Sequence, residues 1–309
     1  MSVLVAPAPL KGVLSAAEAA AALVAGLERA GGGYRVLPVA DGGEGTVSAL
    51  CGAAVTVRPV RDAFGRPRSA IVGSRAGAVV VEAAEVLPLD PDRLDVLSAS
   101  SRGVGELLAE LPPPDELLVG LGGTANMDGG RGLFEALDAL PAPTTVLCDV
   151  QTTLYEAPRL FGPQKGATRE QVAELEARLR ADESLAPYAD LPGSGAGGGL
   201  GAALASLGAE LLPGAATILD LLGFDPRGYD LVVTGEGRVD ATTAEGKAPA
   251  EVVRRCAAAL VRCVVFGGVV SEPLPGVETV ALSGDPARAR EDLLELGVLI
   301  GTRLLDAPR

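Results

Sequence analysis

The sequence predicts an α/β protein with a Rossmann-like parallel-sheet domain and an inserted second α/β domain. Three observations carry this prediction: short apolar runs bounded by Gly, Pro or Asp, helical patterns between them, and capping signals ahead of several helices. Strand and helix alternate along the chain, which is typical of the α/β class. The predicted strands are residues 3–5, 36–39, 79–81, 117–121, 146–150, 231–234, 261–266 and 277–282.

Capping signals mark the start of three predicted helices. Ser15 with Glu18, and Thr168 with Gln171, have the spacing of a capping box. Asp285, followed by proline, supplies a cap and a first helical residue ahead of the last predicted helix. We therefore expect well-defined helices after each of these positions.

The predicted domain boundaries follow a change in composition. Residues 1–60 and 226–309 contain β-α-β patterns that end in Gly and Asp, and we assign them to the Rossmann-like domain. Residues 61–225 are richer in loops, Pro and Gly runs, and we assign them to the inserted domain.

The composition excludes several classes of function. A formal net charge of −14 argues against nucleic acid or an anionic membrane as partner, and no apolar stretch is long enough to span a bilayer. Four widely spaced cysteines and the lack of a signal-peptide pattern favour the cytoplasm. Because the chain has no His, catalytic triads and His metal ligands are excluded, and oxygen ligands remain, which suit Mg²⁺.

Lysine occurs at only three positions, Lys11, Lys165 and Lys247, against 23 arginines, and each lysine is next to a glycine. A compact ammonium on a flexible stem suits phosphate binding. All three precede or begin a predicted helix, where unpaired N–H groups also attract anions. These lysines are therefore candidate anion ligands, with a solvated loop lysine as the alternative for Lys11.

Carboxylates follow predicted strands at the sheet edge where α/β proteins bind ligands. Asp41 and Glu44 lie in the turn DGGEGT and could accept a hydroxyl proton or hold Mg²⁺ through water. Asp149 ends another predicted strand. The alternative is a turn residue for Asp41 and a helix-terminal charge for Glu44.

Two glycine-rich segments could bring backbone N–H groups close to an anion. The first, GGTANMDGG, contains Thr124 and Asp128, and a turn cap is the alternative role for Asp128. The second, GSGAGGG, fits G-x-G-x-x-G formally, but no strand precedes it, so it is a weak sign of a nicotinamide-dependent oxidoreductase. As a phosphate cradle its candidate ligands are Gly195, Gly197 and Gly198, with a flexible loop as the alternative.

The segment from residue 230 to 247 has the highest density of candidate ligands. A predicted buried strand delivers Glu236, Arg238 and Asp240 to its carboxyl end, and Lys247 follows. Carboxylates suit Mg²⁺, and the two cations suit negative charge that develops during phosphoryl transfer. The segment lacks the Walker A glycine, and a structural cluster of ion pairs is the alternative.

Taken in order, the stretches PVADGGEGT, GGTANMDGG, CDV, FGPQKGA, GSGAGGGLGAAL, DLVVTGEGRVD and TTAEGKAP resemble the motifs of the bacterial type I glycerate kinases. They span nearly the whole chain, and FGPQKGA and TGEGR are specific to that family. The resemblance implies a two-domain α/β enzyme that transfers the γ-phosphate of ATP to the 2-hydroxyl of D-glycerate with Mg²⁺. A small hydroxy acid and ATP are the expected partners, and we expect a monomer or homodimer.

The resemblance and the residue chemistry together assign three groups of site residues. The expected catalytic residues are Lys11, Asp41, Asp149 and Arg238. The expected nucleotide ligands are Thr124, Asp128, Lys165, Gly195, Gly197, Gly198 and Lys247. The expected metal ligands are Glu236 and Asp240.

The chain also departs from the family pattern. Ala8 and Pro9 stand where the family motif APDSFKG has an acid and a serine, and Met127 replaces an asparagine. Thr152 and Thr153 replace Asn-Pro after CDV. Because several changes remove polar groups from site loops, a second hypothesis is a noncatalytic paralogue that binds a nucleotide or a sugar acid.

Overall fold

The computed structural model describes residues 2–306, which form two compact units. The terminal unit contains the residues up to Ala40 and those from Ile218 onward, and the inserted unit is Asp41–Thr217. Each unit has its own sheet with helices packed on it. The predicted fold class, a Rossmann-like domain with an inserted α/β domain, is confirmed.

Strands and helices alternate along most of the chain. The strands are β1 (Ser2–Val5), β2 (Gly33–Val36), β3 (Val55–Arg61), β4 (Pro67–Arg75), β5 (Ala78–Glu82), β6 (Glu116–Gly120), β7 (Thr144–Cys148), β8 (Glu210–Pro213), β9 (Leu231–Val239), β10 (Cys263–Val270) and β11 (Glu278–Ala281). The helices are α1 (Ala16–Arg29), α2 (Thr46–Cys51), α3 (Ala83–Val86), α4 (Arg102–Glu110), α5 (Arg131–Phe134), α6 (Ala157–Phe161), α7 (Arg169–Ala181), α8 (Leu200–Ser206), α9 (Gly214–Leu221), α10 (Ala248–Ala258) and α11 (Ala289–Asp306).

The sheet of the terminal unit is fully parallel, with strand order β11-β10-β9-β1-β2. From β1 the chain continues to β2 on one side of the sheet, and from β9 it continues to β10 and β11 on the other side. The order therefore reverses between β1 and β9. In open parallel sheets, ligands bind outside the carboxyl ends of the strands at such a reversal.

Helices α1 and α11 of the terminal unit pack at backbone distance. A Cβ at Gly26 would lie 2.1 Å from the carbonyl oxygen of Leu294, and a Cβ at Gly297 would lie 2.2 Å from that of Leu23. Leu23 of α1 and Leu293 of α11 are buried in the same hydrophobic core. The small residues thus permit the close approach that the nearly aromatic-free core requires.

The inserted unit has a six-stranded sheet in the order β3-β4-β5-β6-β7-β8. β3, β4 and β5 pair antiparallel, and the pairs from β5 to β8 are parallel. Its core includes Leu108, Leu117, Val119 and Leu133, all at most 2% exposed. The carboxyl ends of β5, β6 and β7 therefore share one edge of this sheet.

Both predicted capping boxes are present. Ser15 Oγ accepts a hydrogen bond from Glu18 N at the start of α1, and Thr168 Oγ1 accepts one from Gln171 N at the start of α7. Asp285 caps a short 3₁₀ turn that leads into α11. In residues 2–306, no helix combines the length and the apolar character needed to cross a membrane.

The predicted first boundary differs from the structure. Residues 41–60, expected in the Rossmann-like domain, lie in the inserted unit, because β3 pairs with β4 rather than with the terminal sheet. At the other boundary, the terminal unit resumes at Ile218 rather than at residue 226. The sequence did not predict β3, β4 or β8.

Candidate active site

The inserted unit contains a pocket of about 60 Å³ in which several predicted segments meet. The glycine-rich loops, the end of β7 and the FGPQKGA turn all contribute to its wall. The polar and glycine residues that line it include Thr124, Asp149, Gln164, Lys165, Gly197 and Gly198. Five of these six were predicted as site residues, and Gln164 was missed although it precedes Lys165 in the motif.

Lys165 is a buried cation in this pocket. The residue is only 5% exposed, and its Nζ donates a hydrogen bond to the carbonyl oxygen of Asn126 at 2.6 Å. Burial lowers the pKa of Lys165 to about 8, while the nearby carboxylates of Asp149 and Asp128 act to raise it. The ammonium is therefore mostly charged at pH 7, although the residue is buried.

Thr124 contributes a buried hydroxyl to the pocket. The residue is 2% exposed, and within residues 2–306 its Oγ1 has no hydrogen-bond partner. An unpaired buried hydroxyl costs about 1–3 kcal/mol. Because Thr124 lines the pocket, a polar ligand there could supply the missing hydrogen bond.

Asp128 has a structural role that differs from its predicted one. Its Oδ2 accepts hydrogen bonds from Ser101 N, Ser101 Oγ and Gly132 N, at 2.7, 2.9 and 3.1 Å. Its Oδ1 accepts two more, from Asn126 Nδ2 and Gly130 N. The carboxylate thus fixes its own loop, and this geometry favours the turn-cap alternative over nucleotide binding.

The glycines of the GSGAGGG run are explained by close packing. Gly198 has φ +67°, and a Cβ there would lie 2.1 Å from the carbonyl oxygen of Asn126. A Cβ at Gly195 would lie 2.4 Å from the carbonyl oxygen of Thr153. At these two glycines the run packs against other backbone, and of the three predicted ligands Gly197 and Gly198 line the pocket whereas Gly195 does not.

Asp41 and Asp149 lie on either side of a pair of glycines at the edge of the inserted sheet. Asp41 Oδ1 accepts a hydrogen bond from Gly43 N at 3.2 Å. A Cβ at Gly122 would lie 2.7 Å from Asp149 Oδ2 and 2.7 Å from the Cα of Gly43. The backbone contact between the two glycines therefore joins the two loops that carry these carboxylates.

The terminal unit holds a second group of predicted residues at the end of β9. Glu236 is 8% exposed; its Oε1 accepts a hydrogen bond from Thr243 Oγ1 at 2.7 Å, and its Oε2 lies 3.9 Å from Lys247 Nζ. Asp240 Oδ1 accepts hydrogen bonds from the backbone N and the Oγ1 of Thr242. The structure thus brings Glu236 and Lys247 together and gives Asp240 a capping role.

Lys11 and Arg238 lie at the same edge of the terminal sheet. A Cβ at Gly237 would lie 3.3 Å from the Cα of Leu10 and 3.5 Å from the N of Lys11, so the loop after β1 contacts the end of β9. Lys11 and Arg238 are both exposed. Their charges therefore lie where the strand order of the terminal sheet reverses.

Comparison with known proteins supports one family across the chain. The family model described as "Glycerate kinase family" matches residues 3–142 and 141–284. A glycerate kinase of Bacillus subtilis (strain 168) is 32% identical over 88% of this chain and 86% of its own length. A glycerate 2-kinase of Escherichia coli (strain K12) is 32% identical over 81% of this chain and 80% of its own length.

A solved structure agrees with these matches. The crystal structure of a proposed glycerate kinase 2 from Salmonella typhimurium LT2 has a TM-score of 0.78 and 28% identity, and covers 99% of this chain and 98% of its own. The fold and the pocket define a two-unit α/β protein with a small charged site. The chain belongs to the glycerate kinase family.

Proposed function

We propose that this protein is a phosphotransferase that moves the γ-phosphoryl group of ATP to a hydroxyl of glycerate, most simply the 2-hydroxyl, or of a related small hydroxy acid. The observation that carries the proposal is the pocket in which the ammonium of Lys165, the carboxylate of Asp149 and the hydroxyl of Thr124 meet. These groups suit a molecule with one carboxylate and one or more hydroxyls. Family membership supports the same activity.

The pocket is proposed as the site of the acceptor acid. Its volume of about 60 Å³ has room for a few waters or a small polar molecule, and it is far smaller than the cavities that enclose larger ligands. Lys165 would bind the carboxylate of the acid, and Thr124 would bind a hydroxyl. Asp149 would accept the proton of the hydroxyl whose oxygen attacks the γ-phosphorus, as ADP leaves.

The nucleotide is proposed to bind at the terminal unit. Lys11, Arg238 and Lys247 offer positive charge at the carboxyl edge of its sheet, where the strand order reverses. This assignment moves Lys165 and Thr124 from the nucleotide, where the sequence placed them, to the acceptor. Charge neutralisation and positioning are the main requirements of phosphoryl transfer, so a site without His is adequate.

A magnesium ion is proposed beside the nucleotide. Among the side chains that the structure describes, which exclude those of residues 245 and 304–309, no three His, Cys, Asp or Glu lie close enough together to hold a metal ion. Mg²⁺ that accompanies phosphates needs only one or two protein carboxylates, and Glu236 and Asp240 fit that kind of site. When bound, Mg²⁺ would neutralise negative charge on the phosphates.

An ADP-release assay tests the proposed function. The protein is mixed with ATP, Mg²⁺ and D-glycerate, and ADP is followed through a coupled reaction, with other small hydroxy acids in parallel. We expect turnover that depends on the acid. If none of these acids gave turnover above background, the proposal would be wrong.

Binding without catalysis is the second candidate, and the surroundings of Ala8 favour it. Ala8 is 6% exposed and Pro9 is also buried, so the segment after β1 presents no polar side chain at these two positions. Calorimetry separates the candidates. Heat of binding for ATP or glycerate without turnover would favour a noncatalytic paralogue. We would expect such a paralogue in the reducing cytoplasm as well.

The titration of Lys165 predicts opposite effects of pH on activity and on stability. With a pKa of about 8 in the folded protein against 10.5 for the free side chain, Lys165 loses its proton in the folded state first. The unfolded state binds more protons between these values, so stability rises as pH increases through this window. Binding of the acid needs the charged ammonium, so kcat/KM should fall as pH rises above about 8.

This pH dependence is measured as kcat/KM for the acid and as urea unfolding, both from pH 7 to pH 10. A Lys165→Met variant serves as the control for unfolding, because it lacks the titrating group and should lose that part of the rise in stability. Activity that stays constant across the range would contradict the proposed role of the ammonium.

A further inference from the structure

We propose that Glu82 is a positioning residue, whose buried carboxylate holds the DGGEGT loop and thereby the carboxylate of Asp41 next to the loop that carries Gly122. Glu82 ends β5 and is 4% exposed. Its effect on activity depends on the function proposed above. Its hold on the loop does not depend on that function.

Both oxygens of Glu82 bind backbone N–H groups of this segment. Oε1 accepts a hydrogen bond from Val47 N at 2.5 Å, and Oε2 accepts one from Gly45 N at 3.2 Å. Gly45 has φ +90°, so the chain turns sharply at this point. A single carboxylate therefore fixes both sides of the junction between the loop and α2.

The loop that Glu82 holds is packed against the strands on either side of the proposed acceptor site. Gly42 has φ +98°, and a Cβ there would lie 2.3 Å from the carbonyl oxygen of Leu147. The carbonyl oxygen of Gly42 accepts a hydrogen bond from Gly122 N at 3.1 Å. A displacement of the loop would thus reach Gly122 and the carboxylate of Asp149, which borders it.

The surroundings of Glu82 are costly for a negative charge. The pKa of Glu82 is raised to about 7, first by burial and then by the carboxylates of Glu85 and Glu44, while the N–H groups of Val47 and Gly45 act to lower it. On α2, burial raises the pKa of the Cys51 thiol, the charge of Arg75 lowers it and that of Glu82 raises it. Only a carboxylate offers an acceptor oxygen to each of the two loop N–H groups, so an acid at this costly position fits a role in placing the loop.

Replacement of Glu82 by Gln separates positioning from stability. Gln keeps the shape but turns an NH₂ donor towards one of the two N–H groups, so one hydrogen bond is lost. We expect the amide protons of Gly45 and Val47 to exchange at least tenfold faster. We also expect kcat with glycerate to fall by about 10- to 100-fold, with a smaller change in KM for ATP.

The global stability of Glu82→Gln should not fall with the activity. Wild-type Glu82 has a pKa of about 7 in the folded protein against 4.5 for the free side chain, so the folded state holds more protons between these values. The stability of wild type therefore decreases as pH rises through this window, whereas that of the Gln variant has no such dependence on this site. The free energy of unfolding of the variant minus that of wild type should therefore be larger at pH 8 than at pH 5.

Glu85→Gln is the matched control. Glu85 Oε2 also accepts a backbone hydrogen bond, from Ile71 N at 3.1 Å, but that group belongs to β4 and not to the loop. We expect unchanged exchange at Gly45 and Val47 and a kcat within twofold of wild type. If the Gln variant at residue 82 did not fold, Glu82→Asp, which keeps the charge but shortens the reach, would be measured in the same way.

The outcomes distinguish this inference from the proposed function. If amide exchange at Gly45 and Val47 were unchanged in the Glu82→Gln variant, the positioning role would be wrong. It would also be wrong if Glu85→Gln changed exchange and kcat as much as Glu82→Gln did. If wild type had no kinase activity, the proposed function would fail, and the exchange experiment would still decide whether Glu82 holds the loop. Faster exchange with a lower kcat and retained stability supports both.

Discussion

Replacement of Lys165 by methionine is expected to lower kcat/KM for transfer to glycerate by about 100- to 1000-fold, since removing one partner of a buried, hydrogen-bonded charge pair costs about 2–5 kcal/mol of binding free energy. Methionine fills the volume of the lysine stem but cannot bind a carboxylate. The loss should appear mainly with the acid and much less in KM for ATP, because the pocket is proposed for the acceptor. Steady-state kinetics with each substrate varied in turn measure this.

The fold should survive the Lys165→Met change. The variant loses the hydrogen bond from Nζ to the carbonyl oxygen of Asn126, but it also removes a buried charge whose pKa burial lowers to about 8. The matched control is Arg159→Met, which removes an exposed cation from α6 and should change kcat/KM by less than twofold. Equal losses in the two variants would show that the pocket has no special need for this ammonium.

Replacement of Gly198 by alanine should lower the free energy of unfolding by about 2–5 kcal/mol. Two causes add: a left-handed residue with a Cβ costs about 1–2 kcal/mol, and overpacking costs about 1–3 kcal/mol. The new Cβ would lie 2.1 Å from the carbonyl oxygen of Asn126 and 2.7 Å from the Cα of Met127, so backbone must move. Denaturant unfolding of wild type and variant measures the difference.

Gly208 offers a control in the same unit for the Gly198 prediction. It has φ +94°, yet a Cβ there would meet no atom within 4 Å. Gly208→Ala should therefore show the conformational cost alone, about 1–2 kcal/mol. If the two variants were equally stable, the contact between the GSGAGGG run and the loop of Asn126 would not be as tight as the distances indicate.

The fold was predictable where its causes are local in the sequence. The capping box of Ser15 and Glu18 needs only residues three apart, and the buried parallel strand β5 has a continuous apolar run, AVVV. β3 was missed because it is an exposed edge strand, VTVRPVR, in which Arg and Pro interrupt the apolar pattern. Its pairing with β4 defines it, and the misplaced first domain boundary follows from that omission.

The sequence predicted which residues belong to the site better than it predicted the role of each residue. Thr124, Asp149 and Lys165 share a pocket as expected from their motifs. The role of Asp128 depends on Ser101, which lies 27 residues away, so sequence spacing could not distinguish a ligand from a structural hydrogen-bond acceptor. Glu82 was missed as well; the only signal was a single carboxylate at the end of an apolar strand.

The glycine run illustrates the same limit in another way. A backbone that approaches an anion and a backbone that approaches another backbone both require glycine, so the sequence pattern is identical for the two causes. Only the contacts of Gly198 with Asn126 and Met127 identify the second cause. The structure thus shows backbone packing at Gly198, and the phosphate-cradle role of the run stays a prediction.

The contact of α1 with α11 determines which unit can fold first during translation. The inserted unit, Asp41–Thr217, is continuous and leaves the exit tunnel complete while later residues are still being translated. The terminal unit cannot close its core at that stage, because α1 must wait for its partner near the carboxyl terminus. During translation, Leu23 and its neighbours on α1 therefore stay without their packing partner until α11 has been made.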